Sequence, residues 1–308
     1  MKFLTFIEKY FWVVFIGFLL VGLTTDLPGI LLRTYLRYLL MGVLLLTCIK
    51  ADFSKVLNYT FSPHFIIYLS LMKLFIIPLI FYYTSLILAP QYALGIFILS
   101  AMPSAMVCAT LSDVASGNIE AALSGTIYTT LLCSLTLPLL VNTLHQETME
   151  YYTIFSKIKY LLLTIAVPMA AATGVKNLFS TTVKRFSSMW TPLSIIVAST
   201  ITMVAISANR TFILQNWQSL LSLLPFMIFS FALSLFMSYY LFGFFYPKDV
   251  RIAFAINISY VNNGLAIVFI MEFFTNQFGP EIILPSFLIE VPMSFMILPL
   301  RYLTNSRT

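Results

Sequence analysis

AMPSAMVCATLSDVASGN, residues 101–118, and AINISYVNNGLA, residues 255–266, are the two stretches that decide how this chain is read. Each lies inside a hydrophobic run long enough to cross a membrane and interrupts it with small and polar residues. A helix that carries such residues through hydrocarbon leaves backbone and polar groups that protein, water or a bound solute must satisfy. One such interruption in each half of the chain is the pattern expected of a secondary transporter with its site near the membrane midplane.

The composition of the 308 residues agrees with a membrane protein. Sixty per cent are hydrophobic and 9% charged, with a mean hydropathy of +0.96, against roughly a quarter charged in soluble domains. The apolar run Phe11–Val21 reads as a membrane segment, not a secretion signal, because similar runs recur to the C-terminus. Cys48, Cys108 and Cys133 lie in or beside apolar runs without CxxC spacing, which favours small membrane residues over a metal site. No cofactor is expected. His64 and His145 fall at segment ends, and no HExxH or paired aspartates suggest an intramembrane enzyme.

Hydrophobic runs predict ten transmembrane segments, at 7–24, 31–50, 63–88, 92–115, 119–143, 158–176, 189–208, 217–245, 250–271 and 279–302. The expected fold is an all-α polytopic membrane protein of two inverted five-helix repeats, with broken, crossing helices 4 and 9. The repeats are residues 1–143 and 158–308, joined by a polar linker at 144–157. LTLPLL around Pro138 and MILPLR around Pro299 end corresponding segments. With the N-terminus in the cytoplasm, eleven Lys and Arg fall on that side and five on the other, which predicts both termini inside. The net charge of +6 then reflects this bias, with acidic lipid as counter-charge and no nucleic-acid partner. A bacterial inner membrane is the expected location.

In the first interruption Pro103 removes a backbone donor and breaks the helix. Thr110, Ser112 and Asp113 follow as candidate solute or ion contacts. Asp113 suits a cation or a carried proton, while its closeness to Gly117 also allows a merely solvated interfacial position. The second interruption offers Asn257, Ser259, Asn262 and Asn263, with Gly264 as a second helix-break residue. Their amides suit a cation or a polar solute, and equally suit helix-to-helix hydrogen bonding. Thr126, Thr129 and Thr130 can line the site or bond back onto their own helix. Lys73 and Glu290 are accessory candidates: the first snorkels or pairs, the second needs a partner beside the kinking Pro292. Tyr151 and Trp190 suit interfacial anchors.

On these residues the chain resembles the bile acid:sodium symporter superfamily, as a divergent member. MGVLLLTCIKADFSKVLN (41–58), Pro103, Gly117-Asn118, and NNGLA (262–266) followed by FGPEIILPS are similar to that family's motifs in order and spacing. AMPSA and LTLP also resemble the auxin-efflux-carrier group. The resemblance implies panel and core domains, each drawn from both repeats, moving against one another around an amphipathic organic anion. It also implies that the family's sodium sites are degraded. Cys108 and Ala109 stand at its Ser-Asn pair, Asn257 at a glutamate, Val261 at a glutamine and Ala122 at a serine, while Thr126 is retained. Coupling to protons, to an altered single-cation site, or to no ion follows as the expectation. The alternatives are an auxin-efflux-carrier-like exporter or uniporter, and a channel or membrane scaffold. The channel or scaffold does not require two matched interruptions.

Overall fold

The structure is a computed structural model that describes Ile7 and residues 10–50, 63–145, 151–297 and 299–300. Residues 51–58 of the family-like stretch, residues 146–150 of the linker, the charges Lys2, Lys9, Lys55, Arg301 and Arg307, and the side chain of Tyr151 lie outside what is described.

The described chain is helical. In order come α1 (Phe11–Thr24), α2 (Leu27–Ile49), α3 (Pro63–Leu88), α4 (Ala93–Ser100), α5 (Cys108–Val114), α6 (Ile119–His145), α7 (Tyr151–Leu178), α8 (Ser187–Ala208), α9 (Trp217–Phe242), α10 (Lys248–Ser259), α11 (Asn263–Phe273), α12 (Leu284–Leu288) and α13 (Glu290–Phe295). Single helical turns connect several of them.

The expected ten transmembrane helices in two inverted five-helix repeats are not what the chain forms. Among the described residues six helices are long and apolar enough to cross a membrane: α2, α3, α6, α7, α8 and α9, each of 22 to 26 residues in its apolar span. The remaining hydrophobic runs yield shorter pieces. At 14 residues, α1 reaches only about 21 Å at 1.5 Å per residue, short of a hydrocarbon core of about 30 Å. Run 92–115 divides into α4 and α5, and run 250–271 into α10 and α11. Run 279–302 becomes a 3-10 turn (Pro280–Ile283) followed by α12 and α13. The physical reason in this last run is its prolines at 280, 285 and 292, none of which supplies a backbone donor. Before them Gly279 takes a positive φ of 85°, open to glycine at no steric cost.

Helices α1, α2, α7 and α8 pack chiefly on one another, and α3 to α6 pack with α9 to α13 around the interrupted elements. Close approach in the first group runs through small residues, as expected where lipid supplies no hydrophobic drive between helices. The Gly29 amide donates to Ser207 Oγ at 2.9 Å, and Ser207 Oγ donates to the Thr25 carbonyl at 2.8 Å. Large apolar side chains such as Ile87, Leu178 and Phe229 are exposed on the outer faces, where lipid is their natural contact. The protein is an integral membrane protein.

Two places in the long helices depart from α geometry. Met72–Ile76 in α3 and Ser238–Phe242 in α9 are π turns, a form that concentrates at functional sites. The first carries Lys73.

Candidate functional site: the crossing of two broken helices

Helix α4 stops at Ser100 and α5 starts at Cys108; α10 stops at Ser259 and α11 starts at Asn263. The extended residues between them would hold unpaired amides and carbonyls in a membrane, each costing several kcal/mol. They satisfy one another. Ser104 and Val261 form an antiparallel bridge. The Ala105 amide donates to the Tyr260 carbonyl and the Asn262 amide to the Pro103 carbonyl, both at 2.8 Å.

Two further carbonyls at the end of α10, those of Asn257 and Ile258, take side-chain donors. The amides that an unbroken helix would supply to residues 257 and 258 belong to residues 261 and 262, and the latter is committed to Pro103. In their place Ser104 Oγ donates to the Asn257 carbonyl at 2.7 Å, and Lys73 Nζ donates to the Ile258 carbonyl at 2.8 Å. Cys108 Sγ makes long contacts of 3.8 Å with the Ile256 and Tyr260 carbonyls.

Helix α6 holds the crossing from the side through its threonines. Thr126, Thr129 and Thr130 all bond back to the carbonyl four residues earlier, at 2.9, 2.8 and 2.6 Å. Two also reach the breaks. Thr126 Oγ1 lies 3.1 Å from Asn257 Oδ1, and Thr129 Oγ1 accepts from the Ser104 amide at 3.2 Å. Asn257 Nδ2 donates to the Ala253 carbonyl at 3.0 Å. The amide of Asn257 is thus engaged at both ends, and the residue is fully buried. It bonds helix to helix.

The other candidates divide into two sets. Ser259 Oγ pairs with Ser234 Oγ of α9 at 3.2 Å. Asn262, half-buried, accepts from the Leu265 amide at 3.1 Å and so caps α11. The cap satisfies one of the four orphan donors at a helix start. Asn263 Nδ2 donates to the Ser286 carbonyl at 2.7 Å and to Glu290 Oε1 at 2.8 Å, which gives Glu290 its partner. These residues gather around the second break. Thr110 and Asp113 do not: both are exposed on α5, away from the paired backbone. Ser112 is buried on the same helix, and its hydroxyl has no partner. Just beyond, Ser116 turns the chain with φ 60°. Gly264 lies in the first turn of α11, not in the break, and a Cβ there would meet only Leu40 and Asn262 atoms at ordinary distance. The break itself falls on Tyr260–Asn262.

Trp190 is half-buried and donates from Nε1 to the Val183 carbonyl at 3.2 Å, tying α8 to the turn before it.

Ser104 is the site residue that sequence reasoning missed. Its signal is position: it follows the helix-breaking Pro103, so its amide and hydroxyl lie in the break. Lys73 belongs at the centre of the site instead of at its margin. A lysine mid-way along an uninterrupted 26-residue apolar span was the available clue.

Beside the crossing lies a cavity of ≈ 40 Å³, enough for a water or two. Lys73, Ser100, Ser230, Ser234 and Ser259 are the polar side chains in its otherwise apolar wall.

Comparison with models of protein families gives a match. The model of the Sodium Bile acid symporter family covers residues 37–216, which includes the first break and α6 and ends before the second break. No curated protein matches the chain.

Proposed function

Since this chain belongs to the Sodium Bile acid symporter family, we propose that it is a secondary active transporter that moves an organic anion by alternating access around the crossing of its two broken helices. The observation that carries this reading is the antiparallel pairing of the two breaks. Broken helices aim their partial charges at a point inside the membrane without a formal charge having to be buried there. The half-buried mouth at Asn262 and Gly264, facing Leu40 of α2, is where a solute reaches this point from the other group of helices.

Coupling differs from the family's sodium pair. At position 257, where the resemblance puts a carboxylate, stands a neutral amide whose oxygen and nitrogen both serve helix contacts. Sodium held there would have no counter-charge from this residue. Protons or an altered cation site fit better, with the N- and C-termini in the cytoplasm of a bacterial cell.

The test is uptake into proteoliposomes of labelled steroid-like acids and small carboxylates, under a sodium gradient, a proton gradient or neither. The expected result is saturable flux of one anion class that a proton gradient or none sustains, and that replacing sodium with choline leaves unchanged. Absence of flux for every anion from folded protein would remove the transporter reading. Saturable sodium stimulation would remove the coupling reading alone.

A further inference from the structure

Lys73 is completely buried, although a lysine in a membrane helix ordinarily extends its ammonium to the interface. It lies ten residues into α3, about 15 Å along the helix axis. Its recorded hydrogen bond is to the Ile258 carbonyl at 2.8 Å. That carbonyl is one of those left free where α10 breaks, at the negative end of the helix dipole, where positive charge is favoured. Free carbonyls at the ends of broken half-helices are also where transporters hold coupling cations. The wall of the small cavity that Lys73 lines also contains Ser234 and Ser259, whose hydroxyl oxygens are 3.2 Å apart. The π turn Met72–Ile76 presents the side chain to this point from a neighbouring helix.

We infer that Lys73 is a built-in cation: its ammonium holds, on the Ile258 carbonyl, the position at the second break that a dissociable coupling cation would otherwise take. The inference rests on the transporter reading only in calling this cation a coupling cation. A side chain anchored in the same molecule competes at an effective concentration that free sodium does not reach, so the position is closed to exchange. Glutamine at position 73 would withdraw the charge and supply an amide oxygen. Together with the Ile258 carbonyl and the two serine hydroxyls it would form an oxygen cluster suited to a hard monovalent ion.

The experiment is thermal unfolding of the purified full chain in sodium against choline at fixed ionic strength, for the wild type, Lys73→Gln and Lys73→Arg. The expected result is a wild-type melting temperature independent of sodium, and a lowered one for Lys73→Gln that rises saturably with sodium by roughly 3 °C or more, as for a ligand that binds only the native state. Lys73→Arg, which keeps the charge, stays insensitive. Saturable sodium stabilisation of the wild type overturns the inference, and so does a sodium-insensitive Lys73→Gln. Should Lys73→Gln fail to fold, reductive methylation of the wild type decides. Lys73 stays unmodified while the exposed Lys248 is labelled; equal labelling of the two overturns the inference. None of these readouts requires transport. Flux with a sodium-insensitive Lys73→Gln defeats this inference alone, and sodium rescue without flux defeats the transporter reading alone.

Discussion

Gly95→Ala lowers the stability of the protein by about 2 kcal/mol, within the usual range for overpacking, and its melting temperature by roughly 3 °C for a chain of 308 residues. Gly95 is in the first turn of α4. A Cβ at this position would collide with the Ile282 carbonyl oxygen, and would stand 3.0 Å from the Ile282 carbonyl carbon and 3.2 Å from Pro285 Cγ. The obstacle is backbone, and it belongs to a turn fixed by Pro280 and Pro285, so it cannot rotate aside as a side chain does. Relief comes only from moving α4 away, which carries Pro103 and the break with it. Gly42→Ala and Gly174→Ala are the controls. Both glycines lie in helices with nothing within 4 Å of the added carbon, and alanine's better helix propensity of about 1 kcal/mol leaves these variants as stable as the wild type or more so. Parallel melting curves check the three predictions. Equal destabilisation at 42 and 174 would show that helix propensity or expression, not the Ile282 contact, governs the loss.

Asn262→Pro abolishes most transport while leaving a folded protein. Asn262 has φ −75°, within the range that proline adopts, and Val261 before it is extended in the bridge, as a residue preceding proline prefers. The substitution fits these dihedral angles, but its ring Cδ takes the place of the amide hydrogen and presses on the Pro103 carbonyl oxygen, so the two breaks part locally. It deletes the amide that donates to Pro103 and the side chain that caps Leu265. Asn262→Ala deletes only the cap, at a cost of about 1 kcal/mol. The proline adds the loss of an interhelical bond, about 0.6–1.7 kcal/mol in a membrane. Flux in proteoliposomes falls at least about tenfold for proline, a change of 1.4 kcal/mol or more at the crossing, and by less for alanine. Equal flux in the two variants would mean that the backbone pairing of the breaks is not what the transport cycle uses.

How much of this was legible in the sequence differs between elements for physical reasons. Helix α3 begins and ends where its apolar run does, at Pro63 and Leu88, because a continuous run with proline in its first turn gives both limits. Runs 92–115 and 250–271 are also visible as hydrophobic, but hydrophobicity measures transfer into lipid and not continuity of the helix. Counting them, together with runs 7–24 and 279–302, as transmembrane helices gave ten where six among the described residues are long enough. The family-like ligand positions led to Thr126 and Asn257, which do meet. Asp113 drew notice as a carboxylate in an apolar setting, yet it is exposed, on the side of α5 that its nearness to Gly117 allowed. The links from Ser104 to Asn257 and from Lys73 to Ile258 end on backbone carbonyls. Every residue has one, so a sequence carries no mark of which carbonyl a side chain will find 150 or more positions away.

The crossing is closed by amides and carbonyls, groups that stay the same under nearly any substitution. Ala105, Tyr260, Pro103 and Asn262 meet through peptide groups, so the register of the two breaks survives changes of the side chains around it. A cysteine for a serine, an amide for a carboxylate, or a lysine for a bound ion can be tried one at a time without unfastening the joint. The backbone clasp leaves the side chains around it as replaceable parts.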